Sequence, residues 1–359
     1  MVELYEVFLV LLFAGDSMRS DSMKVFQIED AWSMENMRIS TRPDPQPGQF
    51  QVRLRMKASA LNYRDKLIPV RGYGSRMKTL PLIMLSDGVG VVESIGGGVT
   101  HLNIGDRVCP LFFQSWIDGS PDKERLSLSL GCEIDGTMAE LMVTSEHGVV
   151  YAPDHLSDIE AASLGTAGVT AWRALVTEGH IMQGDKILVQ GTGGVSLLSL
   201  QFAKMLGADV IVISSSDEKL DRARKMGADE TINYRKVPEW GKRVREIAGG
   251  EGVDHVVEVG GQDTIQQSLH AVRTGGTISL IGILGGGIMN VPLGPIVTRH
   301  VRLQGVTVGN RDDFVNMTTA MMQHKIRPVI DRVFEFEELR LAMDYLSSGK
   351  HFGKICIEH

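Results

Sequence analysis

The chain has 359 residues, 43% of them hydrophobic and 23% charged, with a formal charge of −7 at pH 7. That balance is globular, argues against a generic nucleic-acid binder, and comes with no apolar run of the roughly 18 residues that a membrane span needs. With 3 cysteines there is no disulfide scaffold, which fits a reducing, cytoplasmic setting, while 40 glycines exceed the roughly 25 of average usage.

Residues 7–14, VFLVLLFA, form the first apolar stretch. Glu3 and Glu6 precede it and no basic residue occurs before Arg19, so it lacks the flank of an export signal. Residues 1–22 therefore read as an N-terminal extension ahead of a domain that begins at Met23. From 23 to about 152, short runs such as MKVFQIED, QVRLRMKASAL and GVGVVESIG alternate with Pro-Gly, Gly-Gly and Gly-Asp punctuation. Many short strands with glycine turns predict a small barrel or sandwich, interrupted by an irregular lobe at 113–131.

Near Asp158 the pattern changes. Strand-like runs at 186–190, 210–213, 255–259, 277–281 and 301–308 alternate with helical patterns at 195–206, 218–226 and 265–272. This alternation predicts a parallel sheet covered by helices on both faces. Helices at 314–324 and 337–348 and a strand at 354–358 end the chain. No internal repeat is present. Length also suggests two domains.

The segment ILVQGTGGVSLLSLQFAKMLGADVIVISSSDEKL carries a strand, a glycine turn and a helix in that order. Gly191, Thr192, Gly193, Gly194 and Val195 form a turn whose backbone can approach a pyrophosphate, at a helix start that favours anions. Ser196 replaces the small Gly or Ala of the third fingerprint position. A site for NAD would place an acid at the end of the second strand, where this chain has Ser214, followed by Ser215 and Ser216. These hydroxyls with Lys219, and Arg222 nearby, suit a 2′-phosphate, so NADP(H) is the expected cofactor. A helix N-cap reading of the same serines is compatible with it.

Taken with ALNYRDKLI, IGDRV, GTAGVTAWRAL, GADETINY, GVDHVVEVGG, GGTISLIG and SGKHFGKI, these motifs resemble the medium-chain dehydrogenase/reductase superfamily in its quinone-oxidoreductase-like branch. The resemblance covers Met23 to His359. It implies an α/β fold: a GroES-like β domain at 23–157, completed by 310–359, and a Rossmann doubly wound parallel sheet domain at 158–309 that binds NADP(H). It also implies that Thr166, Gly260, Ile281, Gly282, Asn310 and Arg311 lie along the cofactor. The strand at 301–308 would pair across a two-fold axis in a homodimer.

Where zinc-dependent members of the superfamily keep Cys, His and Cys, the alignment places Asn62, Ser86 and Thr166, with Asp87 for the neighbouring glutamate. The four-cysteine lobe is missing. No metal is expected, although a rearranged site using Cys109 or Cys132 with a histidine stays open. Without a Lewis acid, reduction of conjugated acceptors is favoured, because a quinone or α,β-unsaturated carbonyl spreads the developing charge and needs only hydrogen-bond donors and a proton. Asn62, Tyr63 and Tyr73 are the candidate catalytic groups. Tyr73 resembles the tyrosine proposed as acid in enoyl-thioester reductases of the superfamily. Arg64 and Asp65 read as an ion pair or a turn, and Trp116 and Trp172 as pocket wall or core. The expected function is NADPH-dependent hydride transfer to a quinone or enone. An alcohol or aldehyde dehydrogenase, or a nucleotide-binding protein with a structural or regulatory role, are the alternatives.

Overall fold

Runs such as Ile187, Leu188, Val189 and Val210 through Ile213 leave no polar face, and all of these side chains are buried. A strand of this kind must be covered on both sides, which parallel sheets with crossover helices achieve. In the computed structural model, which describes residues 22–359, they form a six-stranded parallel sheet. Its spatial order is Glu230–Asn233, Asp209–Ser214, Lys186–Gln190, Val253–Glu258, Val272–Leu280 and Arg302–Gly305. The order reverses between Lys186–Gln190 and Val253–Glu258, which creates a crevice at the strands' C-terminal ends. The helix Gly194–Met205 starts at that crevice and buries Leu197, Leu198, Leu200 and Phe202 against the sheet.

A different period governs the strand Gln51–Ala60. Val52, Leu54, Met56 and Ala58 are buried while Gln51, Arg53, Arg55 and Lys57 are only partly so, the alternation of a sheet with one face on a core. Arg53 and Arg55 reach across to Glu93 at 3.1 and 2.9 Å. This strand lies in a mostly antiparallel seven-stranded sheet. Strands from the far end of the chain, Ile330–Glu335 and Lys354–Glu358, extend that sheet, with Cys356 opposite Ala60. A three-stranded sheet of Ser22–Ile28, Met37–Pro43 and Leu82–Ile83 packs beside it. The α/β architecture matches the expectation from sequence.

The expected extension at 1–22 lies outside the described residues except for Ser22, which opens the first strand. The expected strand at 301–308 is shorter, Arg302–Gly305, and lies at the end of the parallel sheet. Segment 113–131 is irregular, as expected. Among the described residues, no helix is long and apolar enough to cross a membrane.

The candidate active-site cleft

A cavity of about 610 Å³ runs between the glycine turn and the antiparallel sheet. Asn62, Tyr63, Tyr73, Thr166, Gly191, Thr192, Gly193, Gly194, Val195, Ser214, Ser215, Lys219, Ile281 and Gly282 all line it.

At the nucleotide end the turn is built for close approach. Gly191 has φ +74°, which favours glycine, and a Cβ on Gly193 would meet nothing within 4 Å, so the backbone there is open to a ligand. Gly193 caps the helix that follows with extended geometry. Ser196 Oγ donates to Gln190 O at 2.6 Å, so the serine of the fingerprint ties the helix to the strand end. Ser214 is buried. The hydroxyl of Ser216 accepts from Lys219 N, which makes Ser216 the N-cap of the helix Asp217–Lys225 rather than part of the cleft wall. Lys219 Nζ donates to the carbonyls of Gly349 and His351 at 2.8 and 2.9 Å. Burial holds its pKa below the usual lysine range. His351 also lines the cleft, and its imidazole is held towards the neutral form, first by burial and then by Lys219. These residues present hydroxyls, backbone N–H groups and a cation without an opposing carboxylate at the strand end, a lining that suits a pyridine dinucleotide.

Besides Ser216, three of the expected cofactor residues lie elsewhere. Gly260 is not part of the cleft wall: its N–H donates to Glu258 Oε1 at 2.8 Å, in a buried carboxylate network that also takes Gly261 N and Gln190 Nε2. The side chain of Asn310 caps the helix Arg311–His324 by accepting from Asp313 N at 2.8 Å, and donates to Gly119 O at 3.2 Å. Arg311 lines a second, separate cavity together with Arg107 and Tyr151. The chain instead passes the cleft a few residues earlier, at Val306, Thr307 and Val308.

At the substrate end, Asn62, Ser86, Asp87 and Thr166 meet as the alignment predicts. Thr166 Oγ1 donates to Asp87 Oδ1, and Ser86 Oγ lies 3.5 Å from both Thr166 Oγ1 and Asp87 Oδ1. A residue not anticipated from sequence completes the corner. Lys354, 3% exposed, places Nζ 2.7 Å from Asn62 Oδ1, 2.7 Å from Leu61 O and 3.6 Å from Asp87 Oδ2. An ammonium in contact with the amide, beside a single carboxylate, does not suit a zinc ion. Among the described residues no group of three or more His, Cys, Asp and Glu side chains could hold a metal. The cysteines are buried: burial pushes the thiols of Cys109 and Cys356 up to about 12 and that of Cys132 up to about 11. Burial thus favours the neutral thiol at each of the three.

The cleft wall is aromatic and cationic. Arg64 stands 4.6 Å from the Phe112 ring centroid and 5.4 Å from that of Tyr73, and donates to Leu130 O at 2.9 Å. Asp65 accepts from Asn62 N at 2.7 Å and so sets the turn that aims Asn62. Of the two readings of Arg64 and Asp65, the turn holds. Lys66 Nζ is 4.9 Å from the ring of the half-exposed Tyr63. Trp116 and Trp172 are core residues, 1% and 8% exposed.

A family model described as alcohol dehydrogenase GroES-like domain matches residues 48–154, and one described as zinc-binding dehydrogenase matches residues 194–323. The zinc-type alcohol dehydrogenase-like protein C1773.06c of Schizosaccharomyces pombe is 40% identical over 318 residues, covering 87% of this chain and 91% of the relative. An acryloyl-coenzyme A reductase of Sulfurisphaera tokodaii is 28% identical over 334 residues, 90% of this chain and 97% of the relative. The crystal structure of a putative alcohol dehydrogenase from Sinorhizobium meliloti 1021 superposes with a TM-score of 0.89 at 40% identity, covering 95% of this chain and all of that one.

Proposed function

The chain belongs to the medium-chain dehydrogenase/reductase superfamily, and from that premise we propose that it is an NADPH-dependent reductase of quinones or α,β-unsaturated carbonyls that works without zinc. The observation that carries this reading is the corner of Asn62, Ser86, Asp87 and Thr166, where a lysine ammonium sits among hydroxyls, an amide and a carboxylate. Such a corner polarises a carbonyl through hydrogen bonds rather than through a Lewis acid. Conjugated acceptors demand least of it, since their charge is delocalised. The relative named acryloyl-coenzyme A reductase supports the same class, acryloyl being an α,β-unsaturated acyl group.

When bound, a reduced nicotinamide supplies the hydride. The chain's own residues bind and orient. The turn at Gly191, Thr192, Gly193 and Gly194 presents N–H groups to the pyrophosphate, and Ser214, Ser215 and Lys219 take the 2′-phosphate. Asn62 Nδ2 donates to the substrate oxygen. Tyr73 Oη supplies a proton from the loop beside Arg64, and Tyr63 shapes the mouth. Thr166 and the apolar Val306 and Val308 flank the cofactor and keep water from the reacting face.

This reading includes the division into a β unit at 23–157 with 310–359 and a nucleotide unit at 158–309. It also includes a homodimer through 301–308: the strand Arg302–Gly305 ends the sheet, and Ile288, Leu293 and Val297 nearby are exposed at 77%, 71% and 68%. A monomer by light scattering at micromolar concentration contradicts the dimer.

The relatives named alcohol dehydrogenase favour a second reading, alcohol or aldehyde oxidoreduction. Nucleotide oxidation with NADPH and NADH against a short quinone, an enone and an aliphatic aldehyde separates the two. The expected result is turnover of the first two acceptors with NADPH preferred. Turnover confined to aldehydes, or to alcohols in reverse, overturns the proposal.

A further inference from the structure

Lys354 opens the last strand of the chain, yet its side chain is buried at the seam between the two sheets. The backbone is pinned on either side of it. Gly353 N donates to Thr192 O in the glycine turn at 2.9 Å, and Leu61 N donates to Ile355 O at 2.9 Å. The aliphatic stem crosses Gly194 so closely that a Cβ there would lie 2.5 Å from Lys354 Cδ. The second glycine of the helix start is therefore needed by the lysine as well as by a phosphate.

A lysine ammonium donates hydrogen bonds and accepts none. The 2.7 Å contact with Lys354 Nζ therefore fixes the Asn62 amide with its oxygen towards the cation and its NH2 turned away. That NH2 is buried and has no partner, although Asn62 lines the cleft. A buried donor left unpaired costs about 1–3 kcal/mol, so an acceptor from a ligand is the missing member of the arrangement. Lys354 itself has no donor to spare for a substrate. Leu61 O and Asn62 Oδ1 take two N–H bonds, and the third faces the otherwise unpartnered Asp87 Oδ2 at 3.6 Å. A cation on the amide oxygen also draws electron density from the nitrogen and makes its N–H groups better donors.

We propose that Lys354 is the positioning residue of the catalytic corner: its buried ammonium fixes and polarises the Asn62 amide so that Asn62 Nδ2 donates to the carbonyl oxygen of a conjugated substrate. The inference rests on the reductase reading for its substrate. The orientation of Asn62 rests on the geometry alone.

Two readouts test it. In enone reduction at saturating NADPH, Lys354→Met should lower kcat by roughly 100-fold, the scale of losing one aligned oxyanion donor, with the dissociation constant for NADPH changed by less than about threefold. Asn62→Ala should cost a similar factor. The double variant should be no worse than Asn62→Ala, since groups acting through one another are not additive. Fully additive losses, or a Lys354→Met enzyme with the kcat of the unaltered protein, overturn the proposal. The second readout needs no turnover. In cofactor-free protein labelled with 15N-asparagine, the Asn62 side-chain NH2 resonances, assigned by their loss in Asn62→Ala, should shift in Lys354→Met. They should shift also in Gly194→Ala, which keeps the ammonium but displaces its stem and serves if Lys354→Met does not fold. Unmoved resonances in both variants overturn the proposal. If the unaltered protein reduces no acceptor, the functional reading fails, and the amide resonances still decide the role of Lys354.

Discussion

Ser214 ends the strand Asp209–Ser214 and is buried against the cleft, and in the proposed reading it faces the ribose of the nucleotide. An aspartate would repel a 2′-phosphate and bind free hydroxyls instead. A hydrogen bond to a charged group contributes about 1.5–3 kcal/mol, so Ser214→Asp should shift the NADPH-to-NADH affinity ratio by roughly 100-fold towards NADH. Fluorescence titration with both nucleotides checks this, and an unchanged ratio contradicts it. At this scale the sequence was readable where the chemistry is local. The glycines and serines of the nucleotide turn follow one another within one strand–turn–helix unit, and the structure places most of them on one cleft. Lys354 was not readable, because its partner Asn62 lies 292 residues away and period-two patterning says which way a side chain faces but not what it meets. Asn310 and Arg311 were read as cofactor contacts. The pattern Asn310-x-x-Asp313 is that of a reciprocal helix cap, and both of its bonds are present. Reading that cap first would have removed Asn310 from the site.

The element that Asn310 caps does positioning work of another kind. Asp313 is 4% exposed and accepts from Arg173 Nη1 at 2.7 Å, Thr177 Oγ1 at 2.6 Å and Asn310 N at 3.1 Å. The Arg173 guanidinium lies 4.8 Å from the Trp116 ring centroid, and Asn310 Nδ2 and Arg311 N bond Gly119 and Trp116. The helix Arg311–His324 is thereby clamped to the irregular segment 113–131, which contributes Phe113, Leu126 and Ser129 to the cleft. Asp313→Ala leaves Arg173 buried with Glu178 as its remaining ion-pair partner and should cost about 3–5 kcal/mol. A fall in the denaturation midpoint, with faster hydrogen exchange in 113–131, is the expected result; unchanged exchange there contradicts the clamp. Long periodic elements such as Gly194–Met205 and Asp217–Lys225 fall within a residue or so of where the apolar spacing puts them. The strands Glu230–Asn233 and Ile330–Glu335 and the helix Trp240–Ile247 were missed. The two strands are short or exposed, so packing against neighbours decides them, whereas the helix carries a legible stripe of Trp240, Val244 and Ile247 at helical spacing that was passed over among its Lys and Arg residues.

Over the whole molecule, buried titratable groups set the response to acid. His255 is 1% exposed, bonded to Ser279 Oγ at 2.9 Å, and burial lowers its pKa to about 4; His359 is likewise lowered to about 4. Unfolded histidine titrates near 6.5, so between about pH 6.5 and 4 the unfolded chain binds more protons and stability falls with falling pH. Asp65 acts in the opposite sense. Burial raises its pKa to about 6 from 3.8, so the folded state binds the extra proton and gains stability as pH falls through that window. The two histidines outweigh the one aspartate. The denaturation midpoint should drop from pH 7 to pH 4.5, and His255→Gln should remove part of the drop, of order 3 kcal/mol. A midpoint that does not fall with acidity contradicts this assignment.

At the same scale lies the proposal that the carbonyl oxygen of the acceptor is stabilised by a corner of amide, hydroxyls and ammonium rather than by a metal. Its most direct test is the metal content of an active sample: NADPH-dependent reduction of an enone, measured before and after dialysis against a chelator, with zinc determined by elemental analysis on the same protein. Turnover at far less than one zinc per chain, with no loss on chelation, is the expected result. Stoichiometric zinc, with turnover lost on chelation and restored by added zinc, would contradict it.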